Sequence, residues 1–475
     1  MMDTMKPYPE YKDSGLLWSP CIPNHWRIKR AKHVFRCIDV RSKTGTEERL
    51  TVSAKHGVVP RSSMKVTMFE AKSYIGYKLC WPGDLVINSL WAWSRGLGVA
   101  RHHGLISSAY GVYRLNANLV GYSNFIHHLV RSKAFHWELH TRSKGIWRSR
   151  LQLTDDTFLR APLLVPPENE AKAITRFIHD MDRKVNAFIR NRRRLIEVLN
   201  EQKQSIINRA VTRGLNPDAP LKLSGIDWFP QVPEDWSVVP LRRVITRAVD
   251  GPHHSPSYVD NGVMFISARN VKSDRWSLSD AKFISEEDYS EFCRRIKPEI
   301  GDVLYTKGGT TGVARAVDLN FPFQVWVHVA VLKLRRDIVH PDYLALVLNS
   351  TPCYVQSQLN TRGATNQDLG LGRMKAIYLS LPPHLGVQNR IVARVSEETR
   401  SILTAIEKAE AEIDLIREYR TRLISDVVTG KVDVRHLAPL PGSEDLEERP
   451  ESLEPLEEDI AADMNGDEEP INELE

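Results

Sequence analysis

No part of the chain has the roughly 20 consecutive apolar residues that a helix needs to cross a bilayer. The opening stretch MMDTMKPYPEYKDSG has no apolar core of the kind a secretion signal carries. Cysteine is sparse: Cys21, Cys37, Cys80, Cys293 and Cys353 are scattered, odd in number and form no C-x-x-C pair. Neither a disulfide framework nor a zinc site is indicated. These absences together predict a cytoplasmic protein with no membrane partner. The signatures of catalysis are missing too. There is no G-x-x-x-x-G-K-[ST] loop, no G-x-G-x-x-G after a strand, no G-x-S-x-G elbow and no [DN]-P-P-[FY] motif of an amino-methyltransferase. Histidine pairs stand at 102–103, 127–128 and 253–254, but neighbours on a strand point to opposite faces, which makes poor metal sites. No catalytic residue, metal site or cofactor of its own is expected, and the chain reads as a binder.

What is present is positive charge and repetition. The 475 residues carry a formal charge of +6, which hides an asymmetry. From Ser443 to Glu475 there are 15 acidic residues against Arg449 alone, leaving 64 Lys/Arg against 44 Asp/Glu in the remainder. So basic a body suits an anionic polymer. The tail, residues 431–475, reads as acidic and disordered.

The frame S-G-x-x-W-x-P-x-x-P-x-x-W occurs as SGLLWSPCIPNHW from Ser14 and as SGIDWFPQVPEDW from Ser224. Its prolines exclude regular helix and its tryptophans supply bulk to bury, so each copy reads as a packing strap. Three more matches follow in the same order: PGDLV with IGDVL, GVAR at Gly98–Arg101 with Gly312–Arg315, and LLVPPENEAKAI with LSLPPHLGVQNRI. Their offsets stay between 210 and 218. Ordered matches at a near-constant offset indicate two copies of one unit.

Each unit begins with short alternating runs such as VWVHVAVLKL, which read as strands. After each Pro-Pro pair proline is then absent for about 45 residues and glycine is absent apart from Gly386, predicting a helix of about 65 Å. A heptad is read through Ile174, Ile178, Met181, Val185, Phe188, Leu195, Leu199 and Ile206, with Arg192 and Gln202 filling gaps. A second runs through Ile391, Val395, Ile402, Ala405, Ala409, Ile416, Tyr419 and Leu423, interrupted by Glu398 and Glu412. Ile178, Val185, Leu195, Ile391, Ile402 and Leu423 are the expected helix–helix contacts. The fold class is α+β: two mixed globular domains (1–166 and 214–382), each followed by a long helix (167–213 and 383–430). The helices are expected to pair antiparallel about a pseudo-two-fold that brings the end of the second helix beside the first strap.

Polar, basic and glycine residues cluster at matching places in the two copies: NSLWAWSRGLGVAR with YTKGGTTGVAR, and TRSKGIWRSRL with NTRGATNQDL. Arg and Lys suit guanine, Asn and Gln suit adenine, and glycine-rich loops with Ser/Thr suit phosphates. The candidate DNA-binding residues are Arg95, Arg101, Arg142, Lys144 and Arg148 in the first copy. In the second they are Lys307, Thr310, Thr311, Arg315, Arg362, Asn366 and Gln367. The loops agree in frame but differ in base-reading residues, and Trp91, Trp93 and Ser94 have no counterparts.

The straps, GDVLYTKGGTTGVA, the two P-P helix entries and the domain–helix–domain–helix order make the chain resemble the specificity subunit of type I restriction–modification enzymes over about residues 10–435. The entry PPENEAKAI departs from the family's P-P-L-x-E-Q. The resemblance implies two target-recognition domains, each reading half of a gapped DNA site, and a coiled coil that docks two methyltransferase subunits. It implies adenine methylation with S-adenosylmethionine held by those subunits, and restriction subunits using ATP and Mg. Two other classes stay open from the residues alone. One is a coiled-coil scaffold with a basic nucleic-acid-binding surface, and the other a self-contained restriction or methylation enzyme.

Overall fold

The computed structural model describes residues 5–64, 71–145, 151–363 and 367–438. The described residues divide into two compact units, those up to 190 together with 412–438, and those within 191–411. Both are mixed α/β, and each holds the start of one long helix and the end of the other.

The first unit is built on a four-stranded antiparallel sheet in the order Phe35–Cys37, Gly111–Leu115, Leu85–Ile87, Leu97–Val99. The second has the same sheet in the same order: Ile245–Asp250, Val329–Leu334, Val303–Thr306, Ala314–Ala316. The shared Gly-Asp landmark explains part of this identity. Asp84 and Asp302 are each buried, and each accepts the backbone N–H three residues before it, from Trp81 (2.9 Å) and Glu299 (2.8 Å). Each also takes a cation from the neighbouring strand, Arg114 at 2.7 Å and Lys333 at 2.7 Å. A buried carboxylate demands such partners. The units differ in what is added. The second carries another four-stranded sheet, in the order Tyr258–Val259, Lys282–Ile284, Val263–Ile266, Phe323–Val325. The first carries two-stranded ladders, Leu50–Ser53 with Gly57–Pro60 and Lys78–Cys80 with Gly104–Ile106.

The two straps are built alike. Ser14 Oγ accepts from Leu16 N (2.9 Å) and donates to Ser19 O; Ser224 Oγ accepts from Ile226 N (3.0 Å) and donates to Phe229 O. Gly15 and Gly225 take φ of 68° and 75°, left-handed values that glycine adopts without cost. Trp26 and Trp236 are buried, and Trp18 meets Phe135 edge-on at 5.2 Å. The straps are packing elements.

Each strap receives the end of a long helix. In the second unit the helix Glu168–Arg213 ends at Gly214, whose missing Cβ would lie 3.3 Å from Trp236. In the first unit the helix Leu385–Val428 gives way to Gly430, where a Cβ would overlap Pro23. Lys6 there pairs with Asp433, and Tyr11 Oη donates to Lys431 O (3.0 Å), so the two ends of the described chain meet in one unit. The long helices pair antiparallel: Asp182 with Arg420 in the first unit, Arg209 with Glu398 in the second, partner numbers falling as the first helix's numbers rise.

The seam between the helices is phased differently from the expected heptad. Along the middle of the second helix a buried series runs through Ile391, Val395, Thr399, Ile402, Ile406, Ala409 and Ile413, in steps of three and four. Ile406 lies deeper than the expected Ala405, Ile413 is added ahead of Ile416, and Ile416 and Tyr419 pack against the first unit's core as expected, so Glu398 and Glu412 lie beside the seam and do not interrupt it. In the first helix Leu195 is 38 % exposed, while Ile196 is turned further in and Lys203 replaces Gln202. A four-three alternation can be threaded through neighbouring apolar positions in more than one phase, and only the partner helix selects one. Of the expected contacts, Ile178, Val185 and Leu423 are in the first unit's core, Ile391 is in the second's, and Ile402 is buried.

Candidate nucleic-acid interface

The paired loops singled out from the sequence come together within each unit by the same backbone connection. In the first unit Leu153 N donates to Ser89 O (2.9 Å), joining the hairpin loop 88–96 to the strand-like pair Lys144–Gln152. In the second, Leu369 N donates to Lys307 O (2.7 Å), joining the loop 307–313 to the pair Arg362–Asp368. Lys144 and Arg362 therefore hold equivalent, exposed places.

The GVAR match is not a structural equivalence. Val86 faces Gly98 across its ladder, whereas Leu304 faces Arg315. With Asp84 and Asp302 matched, Arg315 therefore stands where Gly98 does, three residues out of step with the identical letters. Arg101 is exposed in the turn after its strand. Arg315 lies within its strand, its guanidinium 4.9 Å over Trp276 and 3.4 Å from Asp318.

The other candidates divide by exposure. Arg95, Thr310 and Gln367 are exposed. Arg95 adopts φ 64°, the sole non-glycine positive φ among the described residues, at the tip of a loop that carries Trp91 and Trp93 stacked 6.1 Å apart. Such a conformation persists only where the surroundings impose it. Arg131 braces the loop: its half-buried guanidinium donates to Leu97 O, Ala54 O (2.8 Å), Lys55 O (2.7 Å) and, more distantly, Arg95 O (3.5 Å). Burial, then the charge of Arg95, pushes its pKa down to about 10. In the second unit Asn349 does the matching job, bonding both the N–H and the C=O of Ala314 (2.9 and 2.7 Å). Arg142 is paired to Glu138 (2.5 Å). Arg148 and Asn366 lie outside the described residues, as does most of the acidic tail.

Lys307 and Thr311 are buried. Lys307 Nζ lies 2.9 Å from Asp368 and 3.3 Å from Asp250. Burial raises the Asp250 carboxyl, but Arg295 and Lys307 outweigh it and hold it below the usual range. Thr311 Oγ1 lies 3.1 Å from Thr361 Oγ1 and accepts from Gln358 (3.2 Å). Both residues tie the two loops together from inside.

Sequence reasoning missed a cleft in the second unit, of about 380 Å³, lined among others by Tyr258, Ser267, Arg269, Asp280, Lys282, Gly308, Thr310 and His328. Lys282 Nζ sits 4.4 Å over the Tyr258 ring, and burial, then Lys307, lowers the His328 pKa. Its basic residues come from segments far apart in the chain, with no shared motif to mark them. Among the described residues no three His, Cys, Asp or Glu side chains are grouped to hold a metal, and no helix is long and apolar enough to cross a membrane.

A duplicated scaffold presents composite loops that are alike in backbone frame and different in their exposed side chains. Residues 233–414 match the model of the type I restriction modification DNA specificity domain. It is 23 % identical over 285 residues to the type I restriction enzyme MjaVIII specificity subunit of Methanocaldococcus jannaschii, covering 59 % of this chain and 63 % of that protein. It is also 23 % identical over 308 residues to the putative type I restriction enzyme MjaX specificity subunit of the same organism, covering 62 % and 64 %. The chain thus spans under two thirds of the length of these curated relatives. The fold is shared with a chain solved in work on complex assembly and conformational transition of the type I R-M system: TM-score 0.55, 17 % identity, 86 % of this chain and 98 % of that one.

Proposed function

We propose that this chain is the non-catalytic DNA-specificity subunit of a type I restriction–modification complex. Each unit's composite loops read one half of a gapped duplex site, and the long helices carry the surfaces on which partner subunits dock. Two methyltransferase subunits, holding S-adenosylmethionine, methylate adenine within the site, and restriction subunits, using ATP and Mg, cleave DNA. The chain itself binds no cofactor. The candidate residues fall into two roles. Arg95, Arg101, Lys144, Thr310, Arg362 and Gln367 face the duplex, whereas Lys307 and Thr311 set loop shape.

The observation that supports this reading best is the identical backbone junction, Leu153 to Ser89 and Leu369 to Lys307, under different exposed side chains. One scaffold used twice with different faces suits an asymmetric sequence. Mapping methylated bases in cells carrying this chain and its partner subunits tests it. The expected result is one gapped adenine motif, and exchanging residues 1–160 for those of another specificity subunit should change one half only. Both halves changing together would refute the two-reader arrangement.

A further inference from the structure

We infer that the cleft beside Gly308 reads a G·C pair, with Arg269 taking the guanine and Asp280 the cytosine. The inference rests on the DNA-specificity reading above and adds the residues and the base pair. Arg269 and Asp280 are each about half exposed (51 % and 51 %), and they face one another through Arg269 Nε at 3.4 Å. That pairing leaves the terminal amino groups of the guanidinium as a fork, the geometry that matches guanine O6 and N7 in the major groove. Asp280 has acceptor capacity left over, and a carboxylate can accept from the cytosine N4 amino group of the same pair.

The pair is held from behind. Asn270, buried, donates to Asp280 Oδ1 (3.0 Å) and to Ser277 O (2.8 Å), and accepts from Ser267 N (2.8 Å) and Oγ (2.7 Å). Every polar atom of its amide is engaged, so the turn that bears Arg269 is preorganised. The carboxylate also decides against the simplest alternative. A site for a phosphate would not place Asp280 in its wall, because like charges at this range repel. Phosphate contacts fit better at the rim, where Lys282 lies over Tyr258 and Gly309, with open space around it, offers backbone.

The test is a methylation map of the intact complex with the wild-type chain, Arg269→Ala, Arg269→Lys and Asp280→Asn. In Arg269→Ala one G·C position, in one half-site, should relax by about 10- to 100-fold while the other half is kept. Arg269→Lys keeps charge but not the fork, and should relax the same position less. Asp280→Asn should admit other bases opposite. An unchanged motif in Arg269→Ala would overturn the inference, and so would a uniform loss over all sequences, the mark of a phosphate contact. A wild-type map without a gapped motif would instead refute the specificity reading itself.

Discussion

The first turn of the helix Glu168–Arg213 holds a carboxylate whose removal should unseat the first strap. Glu170 is buried and accepts three side-chain hydrogen bonds, from Tyr8 Oη (2.5 Å), Trp26 Nε1 (2.7 Å) and His25 Nε2 (2.7 Å). Tyr8 and Trp26 are buried themselves, while His25 is 42 % exposed and can turn to water. Glu170→Ala strands two buried donors at about 1–3 kcal/mol each, a loss of about 2–5 kcal/mol. Glu170→Gln keeps one accepting oxygen but aims an amino group at a donor, and should cost about half as much. Tyr8→Phe removes a single bond and should cost about 1 kcal/mol. Denaturation followed by tryptophan fluorescence suits the measurement, because Trp26 sits on the carboxylate. A Tyr8→Phe, Glu170→Ala cycle should show coupling of about 1 kcal/mol, as expected for groups in direct contact. A loss below about 0.5 kcal/mol in Glu170→Ala would refute the argument that this carboxylate anchors the strap.

The structure yields three further expectations. Gly214→Ala and Gly430→Ala both force a side chain into the left-handed region, about 1–2 kcal/mol, but only at Gly430 does the new Cβ overlap Pro23; thermal unfolding should show the larger loss there, and equal losses would count against the contact. Lys307→Ala removes a cation held between Asp250 and Asp368; Arg295 still pairs Asp250, so the loss should be about 1.5–3 kcal/mol, as for a hydrogen bond to a charged group. Its effect on DNA binding then follows from a displaced loop, and a stable variant with weakened binding would restore the direct-contact role. His127 Nδ1 accepts from Val99 N (3.2 Å), and burial, then His128, pushes its pKa well below the ordinary value; burial likewise takes His128 down to about 4. The unfolded chain binds these protons near pH 6.5 and the folded chain does not, so stability falls as the pH drops from about 6.5 toward 4, by about 3 kcal/mol from His128 alone. His127→Gln should flatten that slope in a pH series of denaturation curves, and an unaltered slope would discount the ring.

Much of the architecture was open to inspection in the letters, because its determinants are local. The straps spell out their own turns: a serine that bonds backbone on either side of a left-handed glycine, then tryptophans to bury. The Pro-Pro pairs and the proline-free runs behind them mark both long helices, and the recurrence of these features at one spacing reveals the duplication. Other features depend on what approaches from elsewhere in the chain. The heptads could be threaded in more than one phase, and only the opposing helix turned Ile196, Ile406 and Ile413 inward. The two GVAR tetrapeptides are identical, yet ladder register places Arg101 in an exposed turn and Arg315 over Trp276. The letters show Lys307 as a loop lysine, and only the fold brings Asp250 and Asp368 to within 3.3 and 2.9 Å of it. Arg131, Arg269 and Asp280 carry no motif at all: their roles arise where separate segments converge, since charge and hydrogen-bond partners are matters of distance in space.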